Sequence, residues 1–238
     1  MDARALGEFY GSEMGQRTRR VVLGRLKSLW PDVKGRRLLG YGFAAPYLGA
    51  FLPGAERGIA ALPAGMGHGD AVNSPAGKCL SVLAHEDALP FPDAFFDRVL
   101  VVHGLEQAEA LRPLLRQLWR VLAPEGKLLV VAANRTSLWA QVERSPFGHG
   151  RPFSRGELDR ILKDALFEPE QWSRALYAPP LRSRALTGNN WERLGSRLFP
   201  GLSGVHIAEA RKSLYAPATP APVEARLLGA RLTAAGTE

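Results

Sequence analysis

Asp87-Ala88-Leu89-Pro90-Phe91-Pro92-Asp93-Ala94-Phe95-Phe96-Asp97-Arg98-Val99-Leu100-Val101-Val102 is the stretch that decides the fold. Its first half is broken by Pro90 and Pro92 between two aspartates, and its second half ends in an apolar, β-branched run suited to a buried strand. Downstream, Leu111, Leu114, Leu115, Leu118 and Leu122 keep helical spacing. Pro113 falls in the first turn of that helix, where its missing donor costs nothing. Pro124-Glu125-Gly126 ends the helix, and Lys127 to Ala133 forms a second apolar run. A strand, a helix and a strand without a hairpin turn make a crossover, hence a parallel sheet with helices on its faces.

The same alternation continues upstream. Arg37-Leu38-Leu39 leads into Gly40-Tyr41-Gly42-Phe43-Ala44-Ala45, which reads as a strand, a glycine turn and a helix from Ala44 to Leu52. Gly58 to Leu62 and Cys79 to Ala84 read as strands on either side of a Gly- and Pro-rich segment. Before them, Val21, Val22, Leu26, Leu29 and Trp30 mark an amphipathic helix over residues 14–30, stopped by Pro31. After the central strand, Ser154 and Glu157 have capping-box spacing and start a helix through Leu158, Ile161, Leu162 and Leu166. Trp172 to Tyr177 and Val205 to Ala208 are late strands, with a helix from about Asn190 to Leu198 between them. The pattern predicts one domain over residues 1–215, its core at 36–215, and a Pro/Ala-rich mobile tail over 216–238.

Composition narrows the class without naming a trade. The chain has 238 residues, 46% of them hydrophobic, enough for a sizeable core. Its net charge of +8 is carried mostly by arginine, 25 Arg beside 6 Lys, a lopsidedness that a GC-rich genome produces as readily as a nucleic-acid surface. A single cysteine, Cys79, excludes an intramolecular disulfide framework and any zinc site built from several thiolates. No segment has signal-peptide character, and none approaches the roughly eighteen apolar residues of a membrane span. The expectation is a cytoplasmic protein without metal.

Gly40-Tyr41-Gly42-Phe43-Ala44-Ala45 satisfies G-x-G-x-x-A, which fits a dinucleotide site, a methyl-donor site or a plain tight turn. The segment from His85 to Arg135 separates them: the Asp87–Asp97 stretch, the strand to Val102, Leu105-Glu106, and Leu118-Trp119-Arg120-Val121-Leu122-Ala123-Pro124-Glu125-Gly126-Lys127-Leu128-Leu129. In order and spacing it resembles the second half of a class I S-adenosylmethionine-dependent methyltransferase of the type 11 kind, over about residues 36 to 170. The resemblance implies a Rossmann-like doubly wound α/β sheet of about seven strands, the last antiparallel, with helices on both faces and here an extra N-terminal helix. It implies S-adenosylmethionine as cofactor and methyl transfer to an unidentified acceptor.

Carried over by position, Gly40, Tyr41, Gly42, Phe43 and Ala44 form the turn against the cofactor's methionine portion. His85, Glu86 and Asp87 fall where the family contacts the adenine amine, and Val102-His103-Gly104 follows the fourth strand, at the edge facing the methyl group. Two family acids are missing. Leu38 stands two residues before the first glycine, and Leu62 ends the second strand, where a carboxylate usually holds the ribose hydroxyls. That second absence also counts against a nicotinamide-dependent oxidoreductase, and it supports an alternative, a non-catalytic pseudo-methyltransferase that binds RNA or protein.

Four groups have both a functional and a structural reading. His103 is either a base beside the methyl group or a hydrogen-bonded histidine at the core edge. The loop Pro146 to Ser154 is either a substrate lid, with His149 as base and Arg151 gripping an anion, or a rigid lead-in to the Ser154 cap. Arg17, Arg19, Arg20, Arg25, Lys27, Arg36 and Arg37 form one basic patch, and Arg174, Arg182, Arg184, Arg193 and Arg197 a second. These either follow a phosphate backbone, making RNA a candidate partner, or are solvated faces.

Overall fold

The computed structural model describes residues 1–67, 79–142, 145–180 and 189–214. Its strands are β1 (Arg37–Gly42), β2 (Arg57–Pro63), β3 (Cys79–Ala84), β4 (Phe96–Val102), β5 (Leu122–Ala133), β6 (Phe167–Ala175) and β7 (Val205–Lys212). They form one sheet in the order β3-β2-β1-β4-β5-β7-β6. β1 to β5 pair in parallel, and β7 runs antiparallel between β5 and β6. Strand order reverses between β1 and β4, so their carboxyl ends flank the crevice where this architecture places ligands.

Alternation along the strands gives the sheet two apolar faces. Leu38, Leu100, Leu129 and Ile207 face one layer, built from α1 (Ala3–Gly11), α2 (Glu13–Leu29) and α3 (Ala45–Leu48). Leu39, Val99, Val101, Leu128 and Val130 face the other, built from α4 (Leu111–Val121) and α5 (Arg155–Asp164). The late helix, α6, covers Asn189–Leu198.

Several boundaries differ from the sequence expectation, each for a local reason. Helix α1 carries only Leu6, Phe9 and Tyr10 as large buried residues, too few to set a period. Its cap is plain nonetheless, with the Asp2 carboxylate accepting from Ala5 N at 2.8 Å. At the elbow between α1 and α2 a Cβ on Gly15 would strike the Phe9 carbonyl, so glycine is required there. Pro124-Glu125-Gly126 does not close the helix but bulges out of β5: Leu122 pairs with Phe96 and the register resumes at Lys127 with Arg98. β6 begins at Phe167 rather than Trp172. It is an edge strand, where Glu168, Pro169 and Glu170 are tolerated. The Cys79 side chain, Arg182 and Arg184, and the tail over 216–238 lie outside the described residues.

Candidate functional site

The carboxyl end of β1 is a close-packed turn. Gly42 has φ +76°, and a Cβ there would meet the Val102 carbonyl and the Gly104 backbone. Phe43 N donates to Val102 O at 2.8 Å, which binds the turn to the loop after β4. Only glycine meets both demands. Gly40 faces Ala44, whose Cβ would lie 3.0 Å from an added Cβ, so the chain can fold straight into α3.

His103 follows β4 in the left-handed region, at φ +54°, and is buried. Its Nε2 lies 2.8 Å from the Tyr10 hydroxyl, which lies 2.9 Å from the Tyr47 hydroxyl. Helices α1 and α3 thus meet the strand end through three polar side chains. The Tyr10 ring stacks on Phe43, with centroids 5.6 Å apart, and Phe147 packs on His103 at 4.9 Å. Burial lowers the imidazole pKa to about 3, so it is neutral at physiological pH, and raises both tyrosines above their ordinary value.

Glu106 completes the group. Its Oε1 accepts from Ala133 N at 2.8 Å, and its buried Oε2 has no partner among the described residues. Burial pushes this carboxyl up to about 7. The loop from Pro146 is stapled to the same place, since Arg151 N donates to Glu106 O at 2.8 Å and Gly150 leaves no room for a Cβ against Glu106. The loop therefore does border the strand ends. Arg151 is paired with Glu157 at 2.5 Å, and Ser154 Oγ accepts from Glu157 N at 3.2 Å. His149 is half-buried on that loop.

The other anticipated residues divide. His85 and Asp87 are exposed beside the end of β3, whereas Glu86 is occupied in accepting from Glu109 N and Ala110 N at the start of α4. Leu62 lies near the end of β2, buried in one apolar cluster with Phe43, Met66 and Val102. No carboxylate occurs from Arg57 to Gly67. In the first basic patch Arg17 pairs with Glu13, Arg19 donates to Pro46 O and Arg37 pairs with Asp97. Sequence reasoning missed Tyr10, Tyr47 and Glu106: Tyr10 lies on a helix too short to show a period, and nothing in sequence says that Glu106 turns inward. Among the described residues no cluster of His, Cys, Asp or Glu is arranged to hold a metal ion, and no helix is long and apolar enough to cross a membrane.

A methyltransferase-domain family model matches residues 62–130, from the end of β2 into β5. The methyltransferase in the Haloferax volcanii complex with the Trm112 activator superposes with a TM-score of 0.65 at 18% identity, covering 87% of this chain and 94% of that one. Residues 62–130 thus resemble the methyltransferase domain, and the chain has the fold of that Haloferax volcanii protein. An S-adenosylmethionine-dependent methyltransferase of Archaeoglobus fulgidus shares the fold at a TM-score of 0.61 and 20% identity, covering 86% of this chain and 96% of that one. Among curated proteins, the ubiquinone/menaquinone biosynthesis C-methyltransferase UbiE of Yersinia pestis is 40% identical over 62 residues, 26% of this chain. The match spans only 25% of that relative's length. For a methyltransferase-fold chain the cofactor to consider is S-adenosylmethionine. The glycine turn is itself buried, His85 and Asp87 are exposed beside β3, and the end of β2 offers a ribose no carboxylate.

Proposed function

We propose that this chain transfers a methyl group from S-adenosylmethionine to an acceptor seated over the carboxyl ends of β4 and β5. The observation that carries the reading is a coincidence in space. The methyltransferase-domain match over residues 62–130 contains His103 and Glu106, and β1 brings the glycine turn against the backbone of Val102 and Gly104, which flank His103. When bound, the cofactor supplies an electrophilic methyl carbon. The backbone of Gly40 to Ala44 would position it, with His85 and Asp87 at the adenine edge. Glu106, with a carboxyl near neutrality and a free acceptor oxygen, takes a proton from an acceptor group that carries one. Neutral His103 supplies a hydrogen bond, Phe43 and Phe147 exclude water, and His149 lies on the loop at the rim.

Calorimetry of the full chain with S-adenosylmethionine and S-adenosylhomocysteine tests this. Saturable one-site binding is expected, about ten- to a hundredfold weaker than in family members that keep the ribose carboxylate. Absence of heat at millimolar ligand would overturn the enzyme reading. It would favour a pseudo-methyltransferase that binds RNA or protein, which draws its support from Leu62 and from the Tyr10–His103 contact closing the end of β4. RNA binding, if present through the arginine patches, falls steeply with added salt.

A further inference from the structure

Helices α4 and α5 lie on the same face of the sheet but leave a cavity of about 1040 Å³ between them. Its floor is apolar, formed by Leu111, Leu115, Trp119, Ile161 and Ala165. The tryptophan is held in one orientation: its Nε1 donates to Ser213 O at 3.1 Å, and Lys212 Nζ sits 3.9 Å from its ring centroid. The wall is therefore preformed. Its volume lies just above the ~300–1,000 Å³ typical of small-molecule sites.

The rim carries the opposite character. Arg112 and Arg116 are exposed neighbours one turn apart on α4, and Arg160 faces them from α5. Like charges at this spacing disfavour the helix that carries them. None of the three has a hydrogen-bond or ion-pair partner among the described residues. Arg120, one turn further along α4, shows the contrast: it binds Asp93, Gln117 and the carbonyls of Leu89 and Phe91. Asp164 is the only acid among the lining residues. Three unpaired guanidinium groups over an apolar trough match a ligand with an anionic end and an apolar body.

We propose that the groove between α4 and α5 binds a single-chain amphiphile with an anionic head, a fatty acid or alkyl phosphate. The chain lies on Trp119, Leu115 and Ile161, and the head sits among Arg112, Arg116 and Arg160. The groove reaches Ala110 and Arg151 at the margin of the strand-end region, but its apolar floor lies between the two helices and the proposal does not rest on the methyl-transfer reading.

The test is calorimetry of the full chain with dodecyl phosphate below its micelle concentration, beside inorganic phosphate and uncharged dodecyl maltoside. One-site binding of dodecyl phosphate alone is expected. It should weaken at least tenfold in Arg112→Gln/Arg116→Gln/Arg160→Gln, whose exposed, unpartnered positions leave folding intact, and in Ala165→Trp, which fills the floor and keeps the charges. Equal affinity in the arginine variant, equal binding of inorganic phosphate, or no binding of dodecyl phosphate would each overturn the proposal. Binding to phosphatidylglycerol vesicles without binding of the monomer would overturn it too, assigning the arginines to a bilayer surface.

Discussion

Glu106 and His103 pull the pH dependence of stability in opposite directions. The imidazole sits at about 3 in the fold against an ordinary 6.5. Its stabilising contribution is therefore complete above pH 6.5 and lost as pH falls toward 3; His206, lowered to about 4 mainly by burial, acts the same way. The Glu106 carboxyl is raised from 4.5 to about 7. Its contribution is complete below pH 4.5 and lost as pH rises through 7. Glu106→Gln keeps an oxygen for Ala133 N and cannot ionise. Urea denaturation at pH 5 and pH 8 should show the native chain losing on the order of 1–3 kcal/mol more than the variant over that interval. An identical loss in both would mean that the carboxyl is solvated, and the proton-accepting role would go with it.

Among elements, α1 is the one whose attachment depends on a few atoms. Its nine residues are too short for independent helicity, so packing and the Tyr10 hydroxyl hold it. Tyr10→Phe leaves the ring stacked on Phe43 but strands the Tyr47 hydroxyl and the His103 nitrogen. A loss of about 1–3 kcal/mol is expected in urea denaturation, with faster amide exchange in Ala3–Gly11 than in α2. β6 makes a complementary point. Its polar stretch Glu168 to Gln171 is unreadable by strand propensity, because an edge strand is stabilised by its backbone ladder to β7 and need not bury both faces. β7 is interior although it carries Glu209, Arg211 and Lys212, since each charge finds a partner in the fold.

At the scale of the whole molecule, Glu209 ties one helical layer to the sheet. Its carboxylate, fully buried, accepts from Trp30 Nε1 at 2.8 Å and from Lys127 Nζ at 2.7 Å, linking α2's end to β5 and β7. Glu209→Leu leaves the indole donor unpaired and should cost about 3 kcal/mol, read as a lowered urea midpoint. Glu209→Gln retains an acceptor for the indole and should cost less. Equal losses would show that shape, rather than the hydrogen bonds, holds the layers together.

The architecture was legible in the sequence because it is written in local terms. The run Val99 to Val102, the leucines of α4 and the glycine turn each report their own environment through period, propensity and φ, and crossover connections leave few ways to arrange them. The antiparallel β7 came only through the family resemblance of the segment from His85 to Arg135. The candidate site was legible in part, through Gly40, Gly42 and His103. Tyr10, Tyr47 and Glu106 come from three separate elements, and their meeting is a property of how helices α1 and α3 settle over the ends of β4 and β5. The same holds for the groove: Arg112, Arg116 and Arg160 look like ordinary solvated positions on two amphipathic helices. Only the spacing of those helices on the sheet sets the three arginines around an apolar trough. Periodicity decides which face of each element is buried, whereas the gaps between elements and the burial of single charges are decided by long-range packing, which no local pattern encodes.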